Sequence, residues 1–414
     1  MSTTSFAPAP SGERSQWLDA LRGFALCGIL MYNIMAFGGY FFRGLLPPMD
    51  YAWSVLDPAL DYLTHVLIEG KFYSLFSFLF GLGFALQLRR AQALGATAMP
   101  MVRRRMAWLL VFGLAHGLLL WIGDILAVYA VFGFALFWFG GLSQRALLGW
   151  ALFFLALPAL VYPVLLVVHM GDPLAGDPAT SPVGRAVHAI ASGSYLDVVR
   201  GNVDFYPSGW LRRIVRLALP RIFGMFLLGV WAARIGLPAL RDAHQPLLRR
   251  WLLWGLLLGL PLNIAYAALG SSDATLPTSL KGLYVTGLAS LGIPLLCLAY
   301  VAAFALFWRR SRPGNLLVAA GRTALSHYLG QSVVCVTLFY GFGFGLFGRV
   351  SYGVSLLIAL AVFVLLASLG RLWLQRFPQG PMEALWRRLS YGDARLQAAV
   401  PASQASPQDL SSCR

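Results

Sequence analysis

Apolar stretches of about 20 residues recur along this entire sequence, separated by short polar or basic connections. About 20 such residues are needed for a helix to cross a hydrocarbon core of about 30 Å. A helix also satisfies its own backbone hydrogen bonds there. About ten stretches can be placed, near residues 20–42, 62–88, 106–122, 124–141, 146–169, 214–235, 251–269, 282–307, 322–346 and 352–374. The run from Trp108 to Phe139 is too long for one helix, so Gly123 and Asp124 in its middle are read as the turn of a tight helical hairpin. The expected fold is an all-α integral membrane protein, a polytopic bundle of about ten transmembrane helices.

Composition excludes the alternatives. The 414 residues are 58% hydrophobic and 12% charged, whereas soluble domains carry about 25% charged residues. That is too little charge to cover a soluble globule of this size, so a cytosolic enzyme, a disordered chain and a disulfide-stapled module are set aside. Cys27, Cys297 and Cys335 lie in apolar runs and Cys413 in the tail, with no C-x-x-C, so neither a disulfide framework nor a metal site is expected.

The net charge of +16 is read as a topological signal rather than as a nucleic-acid footprint, because cytoplasmic loops collect Lys and Arg. With the N-terminus inside, Arg89, Arg90, Arg103, Arg104 and Arg105 fall on the cytoplasmic side. So do Arg241, Arg249, Arg250, Arg309, Arg310, Arg312, Arg376, Arg387 and Arg388, while the first outer loop carries Asp50, Asp57 and Asp61. Both termini are therefore expected in the cytoplasm. Arg22 interrupts the start of the first apolar run, which is read as a retained helix and not as a cleavable signal. Residues 170–213 form an outer loop on this topology. The arginines that follow (Arg212, Arg213, Arg216, Arg221) suggest an interfacial amphipathic helix, with a polar cavity as the alternative place for them.

Polar groups inside apolar runs are costly and become candidates for function. Asn33, His116 and Gln331 lie 11, 11 and 9 residues beyond Arg22, Arg105 and Arg322. At about 1.5 Å per residue all three sit about 14–16 Å deep, near the midplane. Asp124, Glu69 and Lys71 fall near the outer boundary, where Asp124 is a natural partner for Lys71. His65 is expected at the outer interface. For each there is a plain structural reading: interhelical hydrogen bonding for Asn33, Gln331 and His116, helix capping for Asp124, and an ion pair for Lys71. His327 is left out of the site, and His169, His188 and His244 are expected at water-facing helix ends or in loops. The run Gly343–Gly348 matches G-x-G-x-x-G but ends an apolar stretch, so close helix packing explains it better than dinucleotide binding.

Five segments carry a resemblance: LDALRGFALCGILMYN (Leu18–Asn33), EGKFYSLFSFLFGLGFAL (Glu69–Leu86), AHGLLLWIGDILAVYAVFG (Ala115–Gly133), GRTALSHYLGQSVVC (Gly321–Cys335) and GPMEALWRRLSYG (Gly380–Gly392). Together they resemble the YeiB-like bacterial inner-membrane proteins, over roughly residues 17–395. The resemblance implies a division into an N-terminal transmembrane half (17–235) and a C-terminal half (236–395) corresponding to domain of unknown function 418. Residues 1–16 and 396–414 are read as disordered ends. The L-D-x-L-R-G of the first helix is also similar to that of the acyltransferase-3 family, which ends this helix with a functional His. The heparan-glucosaminide N-acetyltransferase group has Asn near that position, as does this chain at Asn33.

This second similarity implies an acyltransferase of the bacterial inner membrane, moving an acyl group from a cytoplasmic acyl-CoA co-substrate to an acceptor at the periplasmic face. His116, Asp124 and Asn33 would be catalytic, with His116 as base or acyl acceptor and Asn33 orienting its ring or stabilising an oxyanion. Glu69, Lys71, Gln331 and His65 would bind the acceptor. Arg103, Arg104 and Arg105 would hold the coenzyme A phosphates, although topology alone explains a basic inner loop. A small-solute transporter and a structural envelope protein are the alternatives.

Overall fold

Helices occupy the expected apolar stretches, with differences at three segments that follow from local chemistry. The computed structural model describes residues 16–42, 55–93, 99–168, 181–215, 218–237, 242–270, 279–308 and 315–391. The two terminal tails, Asp50, Arg216, Arg241, Arg309, Arg310 and Arg312 lie outside the described residues. Among the described residues the structure is all-helical, with no strand.

The helices of the first half are α1 (Gln16–Phe37), α2 (Asp57–Leu67), α3 (Lys71–Ala93), α4 (Met99–Leu119), α5 (Leu126–Phe139), α6 (Gln144–Val167), α7 (Pro182–Ser192), α8 (Tyr195–Val215) and α9 (Ala218–Arg234). Then come α10 (Gln245–Trp254), α11 (Leu260–Leu269), α12 (Leu280–Phe307), α13 (Leu316–Arg322), α14 (Ala324–Phe339), α15 (Tyr352–Arg376) and α16 (Pro381–Tyr391). A π-helical turn, Gly255–Gly259, joins α10 to α11 without a break. Among the described residues six helical runs are long and apolar enough to cross a membrane, the character of a multi-pass membrane protein.

Helices α1 and α3 are mostly buried. By contrast α6, α10–α11 and α15 turn most of their surface outward. Leu357, Leu360, Val364, Leu365, Leu369 and Leu372 of α15 are all exposed. An apolar face of that extent on the outside of a bundle suits lipid rather than water.

Glycine sets the closest approaches. A Cβ on Gly81 of α3 would fall on the carbonyl oxygen of Phe226 in α9, and one on Gly229 of α9 would fall on that of Phe78. The same device joins α1 to α13, where a Cβ on Gly23 would meet the Leu317 carbonyl and one on Gly321 the Asp19 carbonyl. Close backbone approach through small residues is how helices pack when lipid removes the hydrophobic drive between them.

Three segments differ from the sequence expectation. The stretch 62–88 is two helices, broken at Ile68–Gly70, where Gly70 takes φ +80°. The stretch 322–346 ends at Phe339, and Gly343–Gly348 is not a packing face of a helix. It is a compact turn, with Gly345 and Gly348 at φ +67° and +68° and the Gly348 amide bonded to the Gly38 carbonyl. Residues 181–215 are not an open loop. They form α7 and α8, which pack on each other, and α8 lies against the end of α4, where Tyr195 Oη donates to the Leu119 carbonyl (3.0 Å) and Asn202 Nδ2 to that of Leu118 (3.3 Å). The interfacial reading of the arginines fails for Arg213 and Arg221, which both turn inward: Arg213 donates to the Asp124 carbonyl (2.7 Å) and Arg221 is buried.

Candidate functional site

The hairpin turn builds the site. Helix α4 ends at Leu119 and α5 starts at Leu126, so the turn between them leaves the first amides of α5 without helical partners. Asp124 supplies acceptors: Oδ1 takes the Leu126 N–H (3.0 Å) and Oδ2 the Ala127 N–H (2.9 Å). A carboxylate is well placed there, because the amides of a helix N-terminus carry partial positive charge. The carboxylate thus held is also the partner of His116, whose Nδ1 lies 2.9 Å from Oδ1. The opposite ring nitrogen, Nε2, lies 2.8 Å from Ser332 Oγ on α14.

These three side chains form one chain, Ser332–His116–Asp124, and all three residues are buried. With Nδ1 donating to a carboxylate, Nε2 is left as the acceptor and the serine hydroxyl as its donor. The Tyr328 and Trp121 rings flank the imidazole, at centroid distances of 5.2 and 6.2 Å. The Tyr206 ring of α8 lies against Gly117, close to Asp124. A base held by a carboxylate and bonded to a hydroxyl is the general arrangement that turns a serine into a nucleophile.

The structure thus brings His116 and Asp124 together and adds Ser332, which sequence reasoning missed. Its only signal was its place beside Gln331 at the same depth. A serine in an apolar helix is ordinarily satisfied by the carbonyl four residues back, and Ser332 Oγ does lie 3.4 Å from the Tyr328 carbonyl. Asn33 does not orient the imidazole, since both ring nitrogens are engaged by Asp124 and Ser332; it is half-buried on α1. Gln331 donates across to the Leu26 carbonyl (3.4 Å), which ties α14 to α1.

Lys71 does not pair with Asp124. A separate cluster surrounds the break between α2 and α3. Glu69 accepts from Tyr32 Oη (3.0 Å) and lies 2.6 Å from His65 Nδ1, while Lys71 Nζ donates to the His65 carbonyl (2.7 Å). His65 is thus built into this cluster rather than left free at an interface. His327, excluded at the outset, is buried against Phe363 (5.0 Å between centroids), and neither ring nitrogen has a hydrogen-bond partner.

Of the three arginines at the start of α4, Arg103 and Arg104 are exposed. Arg103 also lies 5.7 Å from the centroid of the Phe137 ring. The Arg105 guanidinium stacks on Trp386 of α16 (3.7 Å), whose Nε1 donates back to the Arg105 carbonyl (2.9 Å). Two of the motifs that carried the resemblance are structural as well. Asp19 and Arg22 pair at 2.9 Å beside the α1–α13 contact. Glu383 accepts from the Leu325 and Ser326 amides and from the Ser326 hydroxyl, so α16 caps the start of α14. Among the described residues no cluster of three or more His, Cys, Asp or Glu forms a metal site.

Comparison with known proteins places these residues in context. A family model described as "Protein of unknown function (DUF418)" matches residues 232–393. The chain is 30% identical over 408 residues to the uncharacterized protein YxaH of Bacillus subtilis, covering 94% of this chain and 97% of that one. It is 29% identical over 436 residues to the uncharacterized protein YeiB of Escherichia coli, covering 94% and 98%. A 39.9 kDa protein of Bacillus acidopullulyticus matches at 28% identity over 388 residues, covering 93% and 96%.

Proposed function

This chain belongs to the YeiB-like family that carries the DUF418 region, and from its buried relay we propose that it is an integral-membrane acyltransferase. The observation that carries the reading is the Ser332–His116–Asp124 chain, with links of 2.8 and 2.9 Å. The bundle crosses the bacterial inner membrane about ten times with both termini in the cytoplasm, as the distribution of basic residues favours. On that topology Arg103 and Arg104 meet the phosphates of a cytoplasmic acyl-CoA, and α7 and α8 cover the periplasmic end of the relay.

The chemistry follows from the order of the groups. Ser332 Oγ attacks the thioester carbonyl while His116 Nε2 takes its proton. The C–S bond breaks, and the departing thiolate takes that proton to leave as coenzyme A thiol. An acceptor hydroxyl or amine then gives its proton to Nε2 and attacks the seryl ester. Ser332 recovers its proton and the acyl group is transferred. Asp124 fixes the tautomer and steadies the imidazolium formed in each half. Asn33, on the neighbouring helix, is a candidate donor to the oxyanion rather than to the ring.

Radiolabelled acetyl-CoA and the purified full-length protein test this. Coenzyme A release is expected from the wild type and to fall by about 10³-fold or more in Ser332→Ala or His116→Ala, the scale on which nucleophile and base act. Release that is absent from the wild type, or equal in all three proteins, contradicts the reading. Solute flux into vesicles without acyl turnover would point to a transporter instead.

A further inference from the structure

The cluster at the α2–α3 break holds more hydrogen-bond donors than it satisfies. Glu69 is committed, one oxygen to Tyr32 and the other to His65. Lys71 is fully buried, and its ammonium makes one hydrogen bond, to the His65 carbonyl, 5.7 Å from the centroid of the Tyr266 ring. The α3–α9 packing brings Arg221 to the same place. It is 7% exposed, hydrogen-bonds Tyr73 and lies within electrostatic range of Lys71, Glu69 and Tyr266. Its Nε is buried without any hydrogen-bond partner. Asp61 does not redress the balance. Its carboxylate is 31% exposed and 3.7 Å from His65 Nε2, on the far side of that ring from Glu69.

Two buried basic side chains therefore have N–H donors to place beside a carboxylate that is already spent. Buried charges are kept only when paired and hydrogen-bonded, and an ammonium has three donors to place. We infer that Lys71 and Arg221 form a binding site for one phosphate-type oxyanion, with Tyr73 and Tyr266 as its walls. A phosphate group presents several acceptor oxygens, enough for the open Arg221 Nε and the remaining ammonium donors of Lys71. The guanidinium supplies a planar fork to the phosphoryl oxygens and the ammonium a point charge. A lipid headgroup and a soluble phosphate ester present the same group. The site needs no acyl donor, so it stands or falls apart from the acyl-transfer reading.

The test is thermal unfolding of the detergent-purified full chain, followed by tryptophan fluorescence. Inorganic phosphate is compared with chloride at equal ionic strength, and micelles doped with short-chain phosphatidic acid with undoped ones. A ligand that binds only the folded state raises Tm by mass action. A rise of about 2 °C or more is expected with saturating phosphate or with the lipid and not with chloride. A rise with inorganic phosphate marks a soluble ligand, and a rise confined to the lipid marks a headgroup. In Arg221→Gln and in Lys71→Met the rise is lost. The inference is overturned if neither phosphate source moves wild-type Tm more than its control, or if both variants respond as wild type does.

Discussion

At the scale of single residues, Asp124 has two duties that can be separated by substitution. It closes the N-terminus of α5 through two amides and it holds His116. Asp124→Asn keeps an oxygen for one duty but offers the imidazole a different hydrogen-bonding partner, so folding should survive while turnover falls. Asp124→Ala removes the cap and strands a buried ring nitrogen, at a cost of about 2–4 kcal/mol. Denaturant titration with acyl turnover measured in parallel checks this; equal loss of both properties in both variants would contradict the division of labour. The sequence made His116 and Asp124 legible because an imidazole and a carboxylate stand out in an apolar run. Ser332 was not legible, because a lone serine there looks like any back-bonded hydroxyl, and only the tertiary placement of α14, packed on α1 and α15, aims it at Nε2. Arg221 reads first as interfacial, with a polar cavity as the alternative, because an arginine near the start of an apolar helix looks interfacial until the α3–α9 contact encloses it.

At the scale of elements, glycine decides how closely helices meet. Gly81→Ala drives a methyl group into the Phe226 backbone, whereas a Cβ on Gly83, two residues along the same helix, meets nothing within 4 Å. The first substitution is expected to destabilise by about 1–3 kcal/mol through overpacking, and the second to be neutral or slightly stabilising through helix propensity. The midpoint of unfolding in denaturant distinguishes them, and equal midpoints would contradict the packing described. Apolar length located the long apolar helices, since about 20 residues are what a crossing needs, but not short ones such as α7 and α16. It did not reveal the break at Gly70, where a positive φ interrupts a continuous apolar pattern. Nor did it show that residues 181–215 are two helices, because the placing of α8 depends on bonds to the Leu118 and Leu119 carbonyls, far away in sequence.

At the scale of the whole molecule, the account requires the two ends of the relay to face different compartments. Single reporter cysteines in a cysteine-free background test this: Arg388→Cys on α16 should react with an impermeant maleimide only from the cytoplasmic side, and Tyr195→Cys on α8 only from the periplasmic side. Reversal of the two, or labelling of both from one side, would refute the topology and with it the direction of transfer. The central claim, that Ser332 accepts an acyl group from a thioester, is met most directly by peptide mass spectrometry of protein quenched in acid after mixing with acetyl-CoA. The account predicts an acetyl mass on the peptide containing Ser332, absent from His116→Ala and Ser332→Ala. Coenzyme A release from wild type with no acetylated Ser332, or with the acetyl group found on another residue, would contradict it.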